Sequence, residues 1–173
     1  SITPNHSEYD SMRKEFLELY EKNLMRYTKL FDGIEQLIDS IEKADKKWGI
    51  VTNKSHKFTV PVLDGLKILQ RASSVVSGDT TDHPKPHPDP LLKAANDLNV
   101  IPDKCIYIGD DERDIVAATA AGMDSIAVEY GYLGNNKPPN QWGANDIAKS
   151  PKNLARLIGL ESHSNANRIC SAT

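Results

Sequence analysis

The sequence predicts an α/β protein built on a doubly wound, mostly parallel sheet. Three observations carry that prediction. Short apolar runs at 48–51, 75–76 and 105–108 each stop abruptly at a polar cluster. Segments with helical spacing alternate with these runs, so the economical solution is parallel strands with helices on both faces. The polar clusters, Thr52-Asn53-Lys54, Ser77-Gly78-Asp79-Thr80 and Gly109-Asp110-Asp111, fall at the carboxyl ends of the strands, where sheets of this kind bind ligands.

Met12, Phe16, Leu17, Leu19, Tyr20 and Leu24 recur at intervals of three and four, which predicts a helix over 8–27. Asp32 is then placed to cap a second helix carrying Ile34, Leu37, Ile38 and Ile41 and ending in the lysine-rich turn near 43–47. Trp48-Gly49-Ile50-Val51 reads as a strand, and Ser55 as the cap of the helix after it. Val75-Val76 is a weak strand. Residues 83–90 carry proline at every second position, which excludes helix and predicts a stiff extended loop. Pro90 sits in the first turn of the following helix, where its missing N–H costs nothing. Cys105-Ile106-Tyr107-Ile108 is the clearest strand, and the alanine-rich 115–121 helix stops at Gly122. Ser125 to Val128 gives another strand, Asp146-Ile147-Ala148 a short edge, and Pro151 opens a last helix to about Leu160. Residues 161–173 are polar and aperiodic and read as a frayed tail.

The 173 residues are 39% hydrophobic and 26% charged, enough apolar side chains for a core and too few charges for disorder. A net charge of −3 without a Lys/Arg run argues against nucleic acid as a partner. No apolar stretch reaches the ~20 residues of a membrane span, and the start lacks signal-peptide character, so a cytoplasmic location is expected. Cys105 and Cys170 form neither a disulfide framework nor a zinc site.

Chemistry concentrates in Gly109-Asp110-Asp111-Glu112-Arg113-Asp114, four acids in five positions after a strand. Asp110 at the strand end and Asp114 one helical turn on can face one point, and an open oxygen site suits Mg²⁺. Acids at a helix N-terminus also complement its dipole without any ligand. Thr52, with the N–H groups of Asn53 and Lys54, offers donors to phosphoryl oxygens, although a Thr-Asn turn is also an ordinary helix cap. Lys85 lies between prolines that restrict its backbone and can aim its ammonium group into a site, although a lysine in such a loop is also simply solvated. His83 and His87 are spaced i, i+4, but the prolines forbid the helix that would put them on one face, so no metal pair is expected from them.

Thr52, Lys85 and the Asp110/Asp114 pair, in that order, resemble the haloacid dehalogenase superfamily of phosphohydrolases. The chain is similar to its phosphoglycolate phosphatase group through Val51-Thr52-Asn53-Lys54, Ser77-Gly78-Asp79-Thr80, Lys85-Pro86-His87-Pro88, Gly109 to Asp114, Ala121-Gly122-Met123, Tyr130-Gly131-Tyr132 and Trp142-Gly143-Ala144. The Tyr-Gly-Tyr and Trp-Gly-Ala elements also resemble bacterial phosphatases of N-acetylmuramic acid 6-phosphate. The resemblance implies Mg²⁺-dependent hydrolysis of a small phosphorylated metabolite through an aspartyl-phosphate. It implies Thr52, Asn53 and Lys54 as substrate-binding residues, Lys85 and Asp114 as catalytic residues and Asp110 as the metal ligand.

One departure stands beside these agreements. The superfamily begins with a strand ending Asp-x-Asp-Gly-Thr, which supplies the nucleophile; here Asp10, Asp32, Asp39 and Asp45 precede Thr52, none follows an apolar strand and none forms a D-x-D pair. By resemblance, residues 1–30 are the end of a helical cap, residues 31–160 an α/β core without its first strand, and 161–173 the tail. Two other classes compete. A receiver-type signalling domain uses the same groups but places its acidic pair before Thr and Lys. A non-catalytic phosphate-binding or scaffold protein would bind phosphate or Mg²⁺ without turnover.

Overall fold

Every strand pairing in the computed structural model, which describes residues 8–134 and 137–160, is parallel. Helices α1 (Tyr9–Asn23) and α2 (Ile34–Lys43) precede strand β1 (Gly49–Val51) and α3 (His56–Gly65). Strand β2 (Ser74–Val76), α4 (Asp89–Asp97), β3 (Ile106–Gly109) and α5 (Glu112–Ala121) follow, then β4 (Asp124–Val128), β5 (Asp146–Ala148) and α6 (Pro151–Leu157). The expected elements are therefore present in the expected order. The tail expected over 161–173 lies outside the described residues.

The strands do not form one continuous sheet. β1 pairs with β2, and β3–β4–β5 form a separate sheet of three, so β1 and β3 each keep one side without a strand neighbour among the described residues. Helices tie the halves together. On one face α4 and α5 bring Leu91, Ala95, Ala117, Ala118 and Ala121 against Val51 of β1 and Tyr107 of β3. On the other face α2 places Leu37 in the cluster over β4 and β5 and Ile38 in the cluster over β1 and β2. Neighbouring strand residues thus point to opposite helical layers, Ile50 toward α3 and Val51 toward α4, which is the doubly wound arrangement.

Several local expectations are corrected. Gly33, not Asp32, occupies the N-cap of α2, at φ +90°, and no side chain caps that helix. Ser55 is the N-cap of α3 but makes no capping bond; the His56 N–H donates instead to Asp79 Oδ1, 2.8 Å away. Residues 83–90 are not extended. The His87 N–H donates to the Pro84 carbonyl, 3.0 Å, closing a turn that brings the His83 and His87 rings to 4.5 Å between centroids. The periodicity of α1 is real, but the helix buries none of its residues, and Met12, Phe16 and Leu19 are exposed. It rests on α3 through an edge-on contact of Tyr20 with Phe58 and an ion pair between Glu21 and Lys57. No helix among the described residues is long and apolar enough to cross a membrane.

Candidate active site

The carboxyl ends of β1 and β3 open onto one cleft of about 320 Å³, lined by Thr52, Asn53, Lys54, Lys85, Asp110, Asp111, Arg113, Asp114 and Tyr132. All six residues singled out in the sequence border it. They do not all offer the cleft the same thing.

Lys85 reaches across the gap between the sheets. Its ammonium lies 2.7 Å from Asp114 Oδ1, 3.0 Å from the Val51 carbonyl and 2.8 Å from the Tyr107 hydroxyl, which itself donates to Val51 O at 3.2 Å. The carbonyl at the end of β1 is therefore satisfied by two side chains. Its backbone is held as firmly. The Asn53 amide donates to Lys85 O at 2.8 Å and accepts from Lys85 N–H at 3.0 Å, so its side chain is a clamp and its backbone N–H is left for a ligand.

Asp114 serves three partners. Oδ1 pairs with Lys85 while Oδ2 accepts the N–H groups of Asp110 and Asp111, both at 3.2 Å, which with Asp111 as N-cap completes a capping box. Asp111 and Asp114 thus have a structural role at the start of α5, where acids also complement the helix dipole. Gly109 makes the close approach possible, since a Cβ there would sit 2.3 Å from Asp114 Cβ. Asp111 is also gripped by Arg113, at 2.9 and 2.8 Å, and mainly this bond lowers its pKa from 3.8 to about 2.

Asp110 is the carboxylate left over. Its Oδ2 accepts the Tyr132 N–H at 2.7 Å, and among the described residues nothing donates to Oδ1. Gly131 lets it lie there, because a Cβ at 131 would meet Asp110 Cβ at 2.2 Å. Burial, with the Asp110 charge, pushes Tyr130 up to about 12, and burial with the Asp114 and Asp110 charges holds Tyr107 well above its usual range. Both phenols are kept neutral.

The N–H of Lys54 is not available to a ligand as expected, because it donates to Thr52 Oγ1 at 3.1 Å. Its side chain turns to the Tyr20 hydroxyl on α1 and lies 4.7 Å from that ring's centroid. Thr52 keeps its hydroxyl proton for the cleft. Sequence reading gave no site role to Tyr107, quoted Tyr132 only within the Tyr-Gly-Tyr motif, and missed the clamp made by Asn53. Tyr107 was visible as the one polar tip in the 105–108 run; the backbone donor of Tyr132 left no signal beyond the neighbouring Gly131.

A haloacid dehalogenase-like hydrolase family model matches residues 2–128. This chain belongs to that family. Among curated relatives it is 35% identical over 158 residues to an N-acetylmuramic acid 6-phosphate phosphatase of Pseudomonas putida, covering 91% of this chain and 71% of the relative. It is 42% identical over 145 residues to a phosphoglycolate phosphatase of Xanthomonas campestris, covering 84% of this chain and 66% of the relative. The chain thus spans about two thirds of the length of these haloacid dehalogenase-like phosphatases. Solved structures agree on the fold. A predicted phosphoglycolate phosphatase from Haemophilus somnus aligns with TM-score 0.83 at 24% identity, over 91% of this chain and 69% of its own. A β-phosphoglucomutase from Clostridium difficile aligns with TM-score 0.70 at 27% identity, over 87% of this chain and 66% of its own.

Proposed function

We propose that this chain is the larger part of a phosphomonoesterase acting on small phosphorylated metabolites, with 2-phosphoglycolate as first substrate and N-acetylmuramic acid 6-phosphate as the alternative. The observation that carries the reading is the cleft itself. A buried ammonium, a threonine hydroxyl and a backbone N–H stand on one side, and a carboxylate with one uncommitted oxygen on the other. A phosphate dianion fits the first set by charge and hydrogen bonding. The second set is hard oxygen chemistry of the kind Mg²⁺ takes, one carboxylate with water and substrate oxygens completing the shell. When bound, Mg²⁺ would offset repulsion between the substrate phosphate and an attacking carboxylate.

In this reading Thr52 Oγ1 and the Asn53 N–H bind phosphoryl oxygens and Lys85 supplies a fixed positive charge. All three ammonium hydrogens of Lys85 have partners, so it acts on the phosphate through its field, in a site dry enough for that field to count. Asp114 is a positioning residue, holding Lys85 and the backbone of Asp110 together. Asp110 holds the metal. The nucleophilic Asp comes from a strand outside this sequence, seated between β1 and β3, and residues 8–27 are the end of a cap whose remainder governs substrate choice.

The test is a panel of phosphorylated small acids and sugars with Mg²⁺, given to a chain extended upstream through a D-x-D-G-T strand. Turnover of phosphoglycolate above the rest supports the first reading, and preference for the amino-sugar phosphate the second. Equal, negligible turnover of all of them, with phosphate still bound, makes the protein a binding module.

A further inference from the structure

We propose that His83, His87 and Asp89 form a second metal site, specific for a zinc-type transition dication and separate from the Asp110 oxygen site. The turn closed by His87 N–H and Pro84 O brings the two imidazoles to 4.5 Å between centroids, tilted by 34° to one another, on the exposed side of the loop. Both Nδ1 atoms lie close to one carboxylate: that of His83 is hydrogen-bonded to Asp89 Oδ2 at 2.9 Å, and that of His87 is 3.1 Å from Asp89 Oδ1. One ligand atom from each of the three residues lies within 4.8 Å of the others.

A four-coordinate zinc with bonds of about 2.0–2.1 Å needs its ligand atoms about 3.4 Å apart. Rotation of side chains that are 62%, 45% and 36% exposed closes that difference without moving the backbone. Two imidazole nitrogens and one carboxylate favour zinc-type metals over Mg²⁺ or Ca²⁺, and the exposed side leaves room for water. The ordering cost is low, because Pro84, Pro86, Pro88 and Pro90 already restrict the backbone that carries all three ligands. The Asp89 N–H approaches His87 Nδ1 at 3.4 Å, a contact too long to hold that lone pair against a metal. Lys85 belongs to the same turn but points inward to Asp114, so a metal outside and the ammonium inside do not compete for space.

The experiment is calorimetric titration of the EDTA-treated chain with Zn²⁺ in excess Mg²⁺, repeated on His83→Ala, His87→Ala and the double variant, each checked for native circular dichroism. Loss of an outer partner of a metal ligand costs about 10–100-fold in affinity, and loss of a direct ligand should cost no less. One equivalent is expected to bind, insensitive to Mg²⁺, at least about tenfold weaker in each single variant. Nitrogen chemical shifts of His83 and His87 should report Nδ1 ligation in the unaltered chain, a readout that does not depend on any variant folding. Binding unchanged in the double variant, displacement by Mg²⁺, absence of binding, or Nδ1 resonances unmoved by Zn²⁺ would each overturn the proposal.

Discussion

The Lys85 ammonium lies 2.7 Å from the Asp114 carboxylate, and both side chains are more than nine-tenths buried. A pair so placed is well satisfied yet expensive to break, because removing one member leaves the other charged and dry. It also joins the two sheets: Lys85 comes from the loop before α4 and bonds to the end of β1, while Asp114 belongs to α5 over β3 and β4.

Lys85→Met should therefore destabilise the chain by about 3–5 kcal/mol, a large share of a typical ~5–15 kcal/mol domain stability. The double variant Lys85→Met/Asp114→Asn should recover part of that loss, since the amide oxygen can still accept the two backbone N–H groups that cap α5. Urea denaturation of Lys85→Met, Asp114→Asn and the double variant, beside the unaltered chain, measures the coupling. A double variant no more stable than Lys85→Met would show that the buried charge is not the cost.

Asp110 is positioned by a glycine rather than by a salt bridge. Gly131→Ala would put a methyl group 2.2 Å from Asp110 Cβ, so the carboxylate must move. The expected result is Mg²⁺ affinity lower by about 10–100-fold, the range for disturbed support of a ligand, with global stability reduced far less than by Lys85→Met. Mg²⁺ titration and urea denaturation of the same variant separate the two effects.

Much of this was legible in the sequence, and the exceptions share a cause. The order of elements followed from apolar runs and turn residues, and Thr52, Lys85, Asp110 and Asp114 were recognisable because each stands at a strand end or in a proline-framed loop. What escaped were relations across the chain: the 53–85 clamp, the contact of Tyr132 N–H with Asp110, and the Tyr107 hydroxyl over Val51. Backbone donors and amide clamps leave no periodicity. The His83–His87 juxtaposition was missed because only a helix was considered as the way to bring i and i+4 together, and a turn does it as well.

Acid should weaken the N-terminus of α5 in a defined window. The folded pKa of Asp111 is depressed from 3.8 to about 2, first by the Arg113 side chain. Its contribution is present above the unfolded value and lost as pH falls through the folded one, that is from about 4 down toward 2. Asp111→Asn keeps an oxygen for the Arg113 N–H but not the ion pair. The stability gap between the two proteins should be open at neutral pH and close across that window, as followed by urea midpoints. A gap of constant size at all pH values would assign the effect to packing.

The gap between β1 and β3 leads to the last prediction, which rests on the proposed function. Each of these strands pairs on one side only among the described residues, and on β3 Ile106 and Ile108 are 45% and 37% exposed. Open parallel edges leave backbone groups that a neighbouring strand would satisfy, at ~1–3 kcal/mol for each one buried without a partner. The bonds from Lys85 and Tyr107 to Val51 O satisfy one such group, not the row. An upstream strand ending D-x-D would fill that row and bring its carboxylates beside Lys85 in the same step. Stability and turnover should therefore rise together when the chain is extended upstream. Residues 1–173 alone should show negligible phosphatase turnover and fast amide exchange along β1 and β3, while the extended chain protects those amides and hydrolyses its substrate. In the extended chain, Asp110→Asn and Lys85→Ala should each cost at least ~10²-fold in rate, as expected for loss of a preorganised charge. Ordinary turnover by residues 1–173 would show that the nucleophile lies within this sequence, and the roles given to its carboxylates would have to be reassigned.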